Sequence, residues 1–203
     1  MSFRRIVDKR AAALAVACLA VSGAAAQPAT SIQERFAACM VCHGEAGRSI
    51  QPFTPSLAGQ PSFYAITQLF LFREGRRSNE AMSAQARAMT DDDLRAFSDL
   101  IGKLPPPRAP AANVIEPQRM TRGAALAQQH RCASCHGVDY AGGQQVARLA
   151  HQREDYLTKA LTEIRSGTRL GYTSAMSDTL IGMQPEALQD VAHYLANLPK
   201  PAP

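Results

Sequence analysis

The sequence predicts an all-α protein built from two tandem copies of one small helical domain. Three observations carry that prediction. First, the chain repeats itself. Cys39, Cys42 and His43 recur as Cys132, Cys135 and His136 at an offset of 93. Leu57, Gln60, Tyr64, Arg73, Gly75 and Arg77 recur as Leu149, Gln152, Tyr156, Arg165, Gly167 and Arg169 at an offset of 92. Met82, Met89, Leu94 and Leu104-Pro105 recur as Met176, Met183, Leu188 and Leu198-Pro199 at an offset of 94. Small changes of offset are short insertions in loops, so this is an internal duplication. Second, apolar residues fall at helical spacing in segments of helical length, with capping residues at their starts. Third, each copy carries one Cys-x-x-Cys-His at the same place, so each copy has its own site.

The elements follow in order. Residues 1–26 read as a secretory signal peptide. Arg4, Arg5, Lys9 and Arg10 precede an apolar run from Ala11 to Gly23, and Ala24-Ala25-Ala26 fits a small-x-small cleavage site before Gln27. That run is shorter than the roughly 20 residues a membrane span needs. The first domain is expected over 27–104. Ser31 to Met40 forms a short helix with Ile32 and Phe36 on one face, delivering the first motif. Irregular chain with Pro52, Pro55 and Gly59 follows, then a helix from Phe63 to Phe72 that Gly75 closes. The polar stretch 76–81 places Met82 in a loop. A last helix starts at the capping box Thr90–Asp93 and buries Leu94, Phe97, Leu100, Ile101 and Leu104. Residues 105–118 form a proline-rich linker, extended and semi-rigid. The second domain is expected over 119–203. It closes with a helix that has Pro185 at its first position and Leu188, Val191, Tyr194, Leu195 and Leu198 on its inner face.

Composition narrows the class. A hydrophobic content of 46% is globular. Aromatics at 6% and the absence of Trp are thin for two small protein-only cores, which suggests that a bound group supplies part of each interior. Of the net charge of +5, residues 1–26 contribute +3; the remainder has 18 basic against 16 acidic residues. The clustered basic patch of a nucleic-acid-binding protein is missing. Four of the five cysteines lie in the two motifs and the fifth, Cys18, in the leader, so none is left for a structural disulfide.

Cys-x-x-Cys-His is the attachment signature of a c-type haem. Two thiols three positions apart share one face of a helical turn and can reach the two vinyl groups of one porphyrin as thioethers. The next residue offers an imidazole to the iron. The residues therefore predict two covalent haem c groups, held through Cys39 and Cys42, and through Cys132 and Cys135, with His43 and His136 as axial ligands. A zinc site would need ligands from joined motifs, and a redox dithiol needs no trailing histidine. A second axial ligand comes from Met82 or Met89 in one copy and Met176 or Met183 in the other. Met89 and Met183 stand just before the helix caps Thr90 and Gln184, where they pack on Leu94 and Leu188 as hydrophobic staples. Met82 and Met176, in loops, are the expected ligands. His130, His151 and His193 lack counterparts in the other copy and read as ordinary surface or partly buried histidines. Arg73/Arg165 and Gln60/Gln152 are expected to bond haem propionates or their own domain's backbone.

With Cys-Met-Val-Cys-His-Gly, Cys-Ala-Ser-Cys-His-Gly, Pro55-Ser-Leu-Ala-Gly-Gln60, the methionines at 82 and 176 and the terminal Leu-Pro pairs in view, the chain resembles the dihaem cytochromes c of the cytochrome c4 type. The resemblance implies two class I cytochrome c domains with His/Met haems, and periplasmic one-electron transfer, soluble or at the membrane surface. Its partners would be redox proteins: a quinol-oxidising complex, a terminal oxidase or a dehydrogenase. The alternative is the dihaem electron-accepting subunit of a dehydrogenase complex, of the flavocytochrome sulfide dehydrogenase type; a dihaem enzyme ranks third. The resemblance also gives Pro55 the role of lending its carbonyl to the axial histidine. In the second copy Ala147 stands in that place and His151 replaces Gly59, so the second site is expected to be the looser of the two.

Overall fold

The computed structural model describes residues 30–108, 115–169 and 174–199; the expected signal peptide and the middle of the linker lie outside the described residues. The fold is helical. Among the described residues there is no strand, only an isolated antiparallel bridge between Gly143 and Val146. The first half holds α1 (Ile32–His43), α2 (Ser62–Arg73), α3 (Glu80–Ala86) and α4 (Asp91–Gly102). The second holds α5 (Pro117–Gln129), α6 (Ala133–His136), α7 (Glu154–Arg165), α8 (Ala175–Thr179) and α9 (Pro185–Ala196).

Local chemistry sets these limits. Ser31 caps α1 through the amide of Glu34, whose carboxylate returns to the Ser31 amide. This box holds the helix start firmly, and α1 runs on to His43, past the Met40 end that the sequence suggested. Thr90 and Asp93 form the expected box on α4, and three aspartates in its first turn suit the positive end of the helix dipole. The α2 terminus closes as a Schellman turn: the Arg76 amide bonds the Leu71 carbonyl at 2.9 Å and the Gly75 amide the Phe72 carbonyl at 3.3 Å. Helix α5 already begins at Pro117, within the stretch expected as linker, because proline at the first helical position has no amide to lose. Met82 and Met176 are not in loops. Asn79 caps α3 by accepting from the Met82 amide, and Met176 is the second residue of α8.

The halves differ in how the motif is reached. In the first, one continuous helix carries it. In the second, the chain breaks after α5, with Arg131 in the left-handed region (φ 52°), before the short α6 begins. Helix α5 instead lies against α9. The crossing is tight at Gly123, where a β-carbon would stand 2.2 Å from the Asp190 carbonyl oxygen and 2.6 Å from the Tyr194 side chain. Gly123→Ala is therefore expected to destabilise the second half by about 1–3 kcal/mol, read as a lower urea midpoint, despite alanine's better helix propensity.

The interiors are unequal. The second half packs thirteen buried residues, among them Leu157, Leu161, Met183, Leu188, Val191 and Leu195, into one cluster. The described cluster of the first half has three, Leu69, Leu94 and Phe97, edged by Ile32, Phe36, Ile66, Met82 and Met89. Helix α1 is held to α4 by Phe36 stacked on Phe97 at 6.3 Å and by Arg35, which covers the Phe97 ring and bonds Asp93 at 2.6 Å.

That ion pair has a pH consequence. The Arg35 hydrogen bond, aided by the Thr90 amide, holds the Asp93 carboxyl down to about 2. A depressed acid contributes stability above its unfolded value, near 4, and loses it as pH falls through its folded value. Asp93→Asn should cost about 1 kcal/mol at neutral pH, since the pair is partly exposed to solvent. The gap from the unsubstituted protein, followed by urea unfolding, should narrow as pH drops from about 4 toward 2.

The two halves meet through side chains that cross between them. Gln152 bonds the Ser56 amide at 2.7 Å and the Ser56 carbonyl at 2.8 Å. Gln60 bonds the Arg148 amide at 3.1 Å and the Arg148 carbonyl at 3.0 Å. Arg77 donates to the Tyr156 hydroxyl, and Arg169 to the hydroxyls of both Tyr64 and Tyr156. Ser56 and Arg148 are equivalent positions, as are the two glutamines, tyrosines and arginines. The contact is therefore approximately two-fold.

Candidate functional site

Each motif is presented by the last turn of a helix, α1 or α6, which puts its two sulfurs and its imidazole within one helical turn. The environments match closely even though the helices differ in length. Cys39 and Cys132 are half-buried, Cys42 and Cys135 exposed, and all four are free thiols. His43 and His136 are 5% and 6% exposed. Burial pushes the Cys39 and Cys132 thiols up.

The imidazoles are oriented in the same way. Nδ1 of His43 donates to the Pro55 carbonyl at 2.8 Å, and Nδ1 of His136 to the Ala147 carbonyl at 2.8 Å. With Nδ1 engaged, Nε2 is the nitrogen left to offer a lone pair, as in metal-bound histidines whose far nitrogen is fixed by a carbonyl. Burial pushes both imidazoles below the usual histidine range, against the carbonyl bonds that favour the charged ring. The rings are thus neutral near pH 7 and able to bind iron.

The second site is no looser than the first. Loss of proline at Ala147 leaves the histidine bond at the same length because other groups hold that peptide. The Gly143–Val146 bridge precedes it. Gly142 packs so closely beneath it that a β-carbon would lie 2.5 Å from the Ala147 carbonyl carbon. Gln60 grips the next residue from the other half. His151 adopts the left-handed backbone (φ 58°) that Gly59 has in the first copy (φ 67°), and its Nε2 bonds the Leu198 carbonyl at 3.0 Å. The imidazole thus adds a second tie between the loop and the end of α9, beside the His151 amide's bond to the Leu195 carbonyl at 3.0 Å; in the first copy the Gly59 amide alone reaches the Leu104 carbonyl, at 3.2 Å.

Of their two expected partners, Arg73 and Arg165 take their own domain's backbone: they bond the carbonyls of Met89 and Met183, at 3.2 and 2.6 Å, and so brace their own half. Gln60 and Gln152 serve neither of their expected partners; they bond the backbone of the opposite half. His193 is not a surface residue. It is 1% exposed, with Nδ1 on Glu154 at 2.8 Å and Nε2 accepting from the Glu116 amide at 3.1 Å. No local signal marked it, because its partners come from α7 and from the residue that starts α5. Met82, Met89 and Met176 are half-buried and Met183 is buried, each in its half's apolar cluster.

The donors suit a porphyrin better than a bare ion. Each motif brings two sulfurs and one imidazole to one turn, yet among the described residues no group of three or more His, Cys, Asp or Glu is arranged to hold a metal ion by itself. The buried Arg169 has no carboxylate partner among the described residues; its bonds go to tyrosine hydroxyls. Burial pushes the Tyr156 phenol up, but the Arg169 and Arg77 guanidiniums outweigh it and hold the group below the usual tyrosine range. A cationic, partly desolvated interface of this kind favours an anionic group such as a carboxylate.

A sequence model of the Cytochrome c family matches residues 29–104 and again 120–199. The chain is 29% identical over 171 residues to a cytochrome c4 of Thiocapsa roseopersicina, covering 79% of this chain and 86% of that one. It is 33% identical over 171 residues to a thiosulfate dehydrogenase electron acceptor of Stutzerimonas stutzeri, covering 79% of each. The fold is similar to a solved cytochrome c4 of Acidithiobacillus ferrooxidans, with a TM-score of 0.69, 28% identity, and coverage of 80% of this chain and 99% of that one. Matched once by each half, and alike in sequence and fold to dihaem relatives, the chain belongs to the cytochrome c family, as two tandem class I domains that bind haem c and transfer electrons rather than catalyse a reaction.

Proposed function

We propose that this protein is an exported dihaem carrier that takes up and delivers single electrons between redox proteins of a respiratory chain, with domains at 27–104 and 119–203. Cys39 and Cys42 hold one haem by thioethers, Cys132 and Cys135 the other. His43 and Met82, and His136 and Met176, are the axial pairs. The haem supplies a reversible one-electron change at iron. The chain holds the imidazole in one tautomer, keeps water from the ring and leaves no coordination position for a substrate. The observation that carries this reading is the pair of equal 2.8 Å bonds from His43 and His136 to main-chain carbonyls, one in each half, beside two free thiols. A His/Met pair raises the reduction potential, which suits passing electrons toward an oxidant.

Export is supported by residues 1–26, and a periplasmic site by the cysteine chemistry; among the described residues no helix is long and apolar enough to cross a membrane. Exposed Val41 and Val138, inside and just after the motifs, give each attachment turn an apolar surface for a protein partner. A second reading, an electron-accepting subunit of a dehydrogenase, is favoured by the thiosulfate dehydrogenase relative. A pyridine haemochrome assay on the purified protein should give two haem c per chain, and fewer would overturn the central reading. Purification from the native membrane-free extract separates the two roles: a stable complex with a catalytic subunit identifies the second.

A further inference from the structure

We propose that Gln60 and Gln152 are crossed positioning residues, each tuning the haem of the domain to which it does not belong. The inference rests on His43 and His136 being the iron ligands. It follows from which atoms share a peptide. The Pro55 carbonyl and the Ser56 amide are two ends of one planar peptide group. The carbonyl accepts from His43 Nδ1 at 2.8 Å, and the amide donates to the Gln152 side-chain oxygen at 2.7 Å. The second site repeats this with the halves exchanged: the Ala147 carbonyl accepts from His136 at 2.8 Å, and the Arg148 amide donates to the Gln60 side-chain oxygen at 3.1 Å. Each chain of bonds thus runs glutamine, peptide, imidazole, crossing the domain boundary once.

Position and burial make these bonds effective. Gln60 and Gln152 are 7% and 4% exposed and Ser56 is 5% exposed, so water is kept from the Ser56 bond, while the half-buried Arg148 leaves the second bond more open. Each side-chain nitrogen also bonds the carbonyl of the gripped residue, at 3.0 and 2.8 Å, which fixes the amide plane. Hydrogen bonds in series through a peptide polarise one another. An amide whose N–H is engaged has a more negative oxygen. That oxygen pulls harder on the imidazole proton and makes the ring a stronger donor to iron. A stronger donor favours the oxidised iron. No proton moves; the glutamine sets how readily one electron is accepted.

The direction and the address of the effect both follow. Gln152→Met keeps the volume and removes the acceptor, so the potential of the first-domain haem should rise while that of the second stays put. Gln60→Met should do the reverse. An effect of about two- to fivefold in the oxidised-to-reduced ratio at fixed applied potential corresponds to ~20–40 mV at 59 mV per tenfold. Potentiometric titration of the holoprotein, following haem-methyl NMR signals assigned to each domain, reads both haems in one sample. Amide exchange gives a readout independent of the haem: Ser56 should lose protection in Gln152→Met and Arg148 in Gln60→Met. A shift confined to the glutamine's own domain, equal shifts in both, or no shift in either variant would overturn the proposal. A haem count below two per chain in the unsubstituted protein would instead overturn the ligand assignment on which it rests.

Discussion

Met176→Ala is expected to remove the sulfur ligand from the second haem, while Met183→Ala leaves the ligand set intact and weakens the fold. Both methionines sit in the same apolar cluster, but in different ways. Met183 is 6% exposed and precedes the cap of α9, where it packs with Leu188; its carbonyl is held by Arg165. Shortening it opens a cavity, at a cost of about 2–5 kcal/mol. Met176, half-buried on the short α8, borders that cluster without being enclosed in it and costs less to truncate. Its loss should convert the second haem from a low-spin to a high-spin spectrum, abolish the sulfur-to-iron charge-transfer band for that haem, and lower its potential. Visible spectra and urea unfolding of the two variants make a crossed comparison. If Met183→Ala changed the spectrum and Met176→Ala only the stability, the ligand assignment would be reversed. In the first domain Met82 and Met89 border the same small cluster, so burial does not separate them. Met89 is set apart there by standing before Thr90 with its carbonyl bonded to Arg73.

His193→Ala is expected to cost about 2–4 kcal/mol by urea unfolding, a loss comparable to a core truncation. The ring is almost fully enclosed and joins three elements: α9 carries it, α7 supplies Glu154, and the Glu116 amide marks the start of α5. Arg119 runs alongside, bonding Glu154 at 2.8 Å and Asp190 at 3.2 Å. Removal leaves the Glu116 amide without its acceptor and a void where the buried ring stood. His193→Phe fills the void without restoring the bonds, so the difference between the two variants isolates the polar share. Neither should move the haem potentials, since the ring lies on neither imidazole–peptide path.

Repetition made much of this legible in advance. The duplicated Cys-x-x-Cys-His, the Thr90–Asp93 box, the Gly75 turn and the staple methionines are all local patterns whose partners lie within a few residues, and each is present as the sequence suggested. The Pro55 carbonyl was legible too, but through family resemblance. What escaped were partnerships between distant segments. Gln60 and Gln152 stand out in the sequence as a duplicated polar pair, yet nothing local says that each turns outward to the other domain. His193 lacks a counterpart in the first copy and so reads as incidental; its partners, Glu154 on α7 and the amide of Glu116 before α5, are distant in sequence. The short α3 and α8 were missed because a few residues between loops carry little periodicity. The equal geometry at Ala147 was missed because a proline's rigidity can be replaced by a bridge, a close-packed glycine and a side chain from the other half.

The unequal interiors bear on what each domain asks of its cofactor. Thirteen buried residues join into one cluster in the second domain; in the first only three do, and other buried side chains such as Leu71, Phe72 and Ile101 lie outside that cluster. A bound porphyrin would therefore add proportionally more to the interior of the first domain, and its loss should destabilise that domain more than the second.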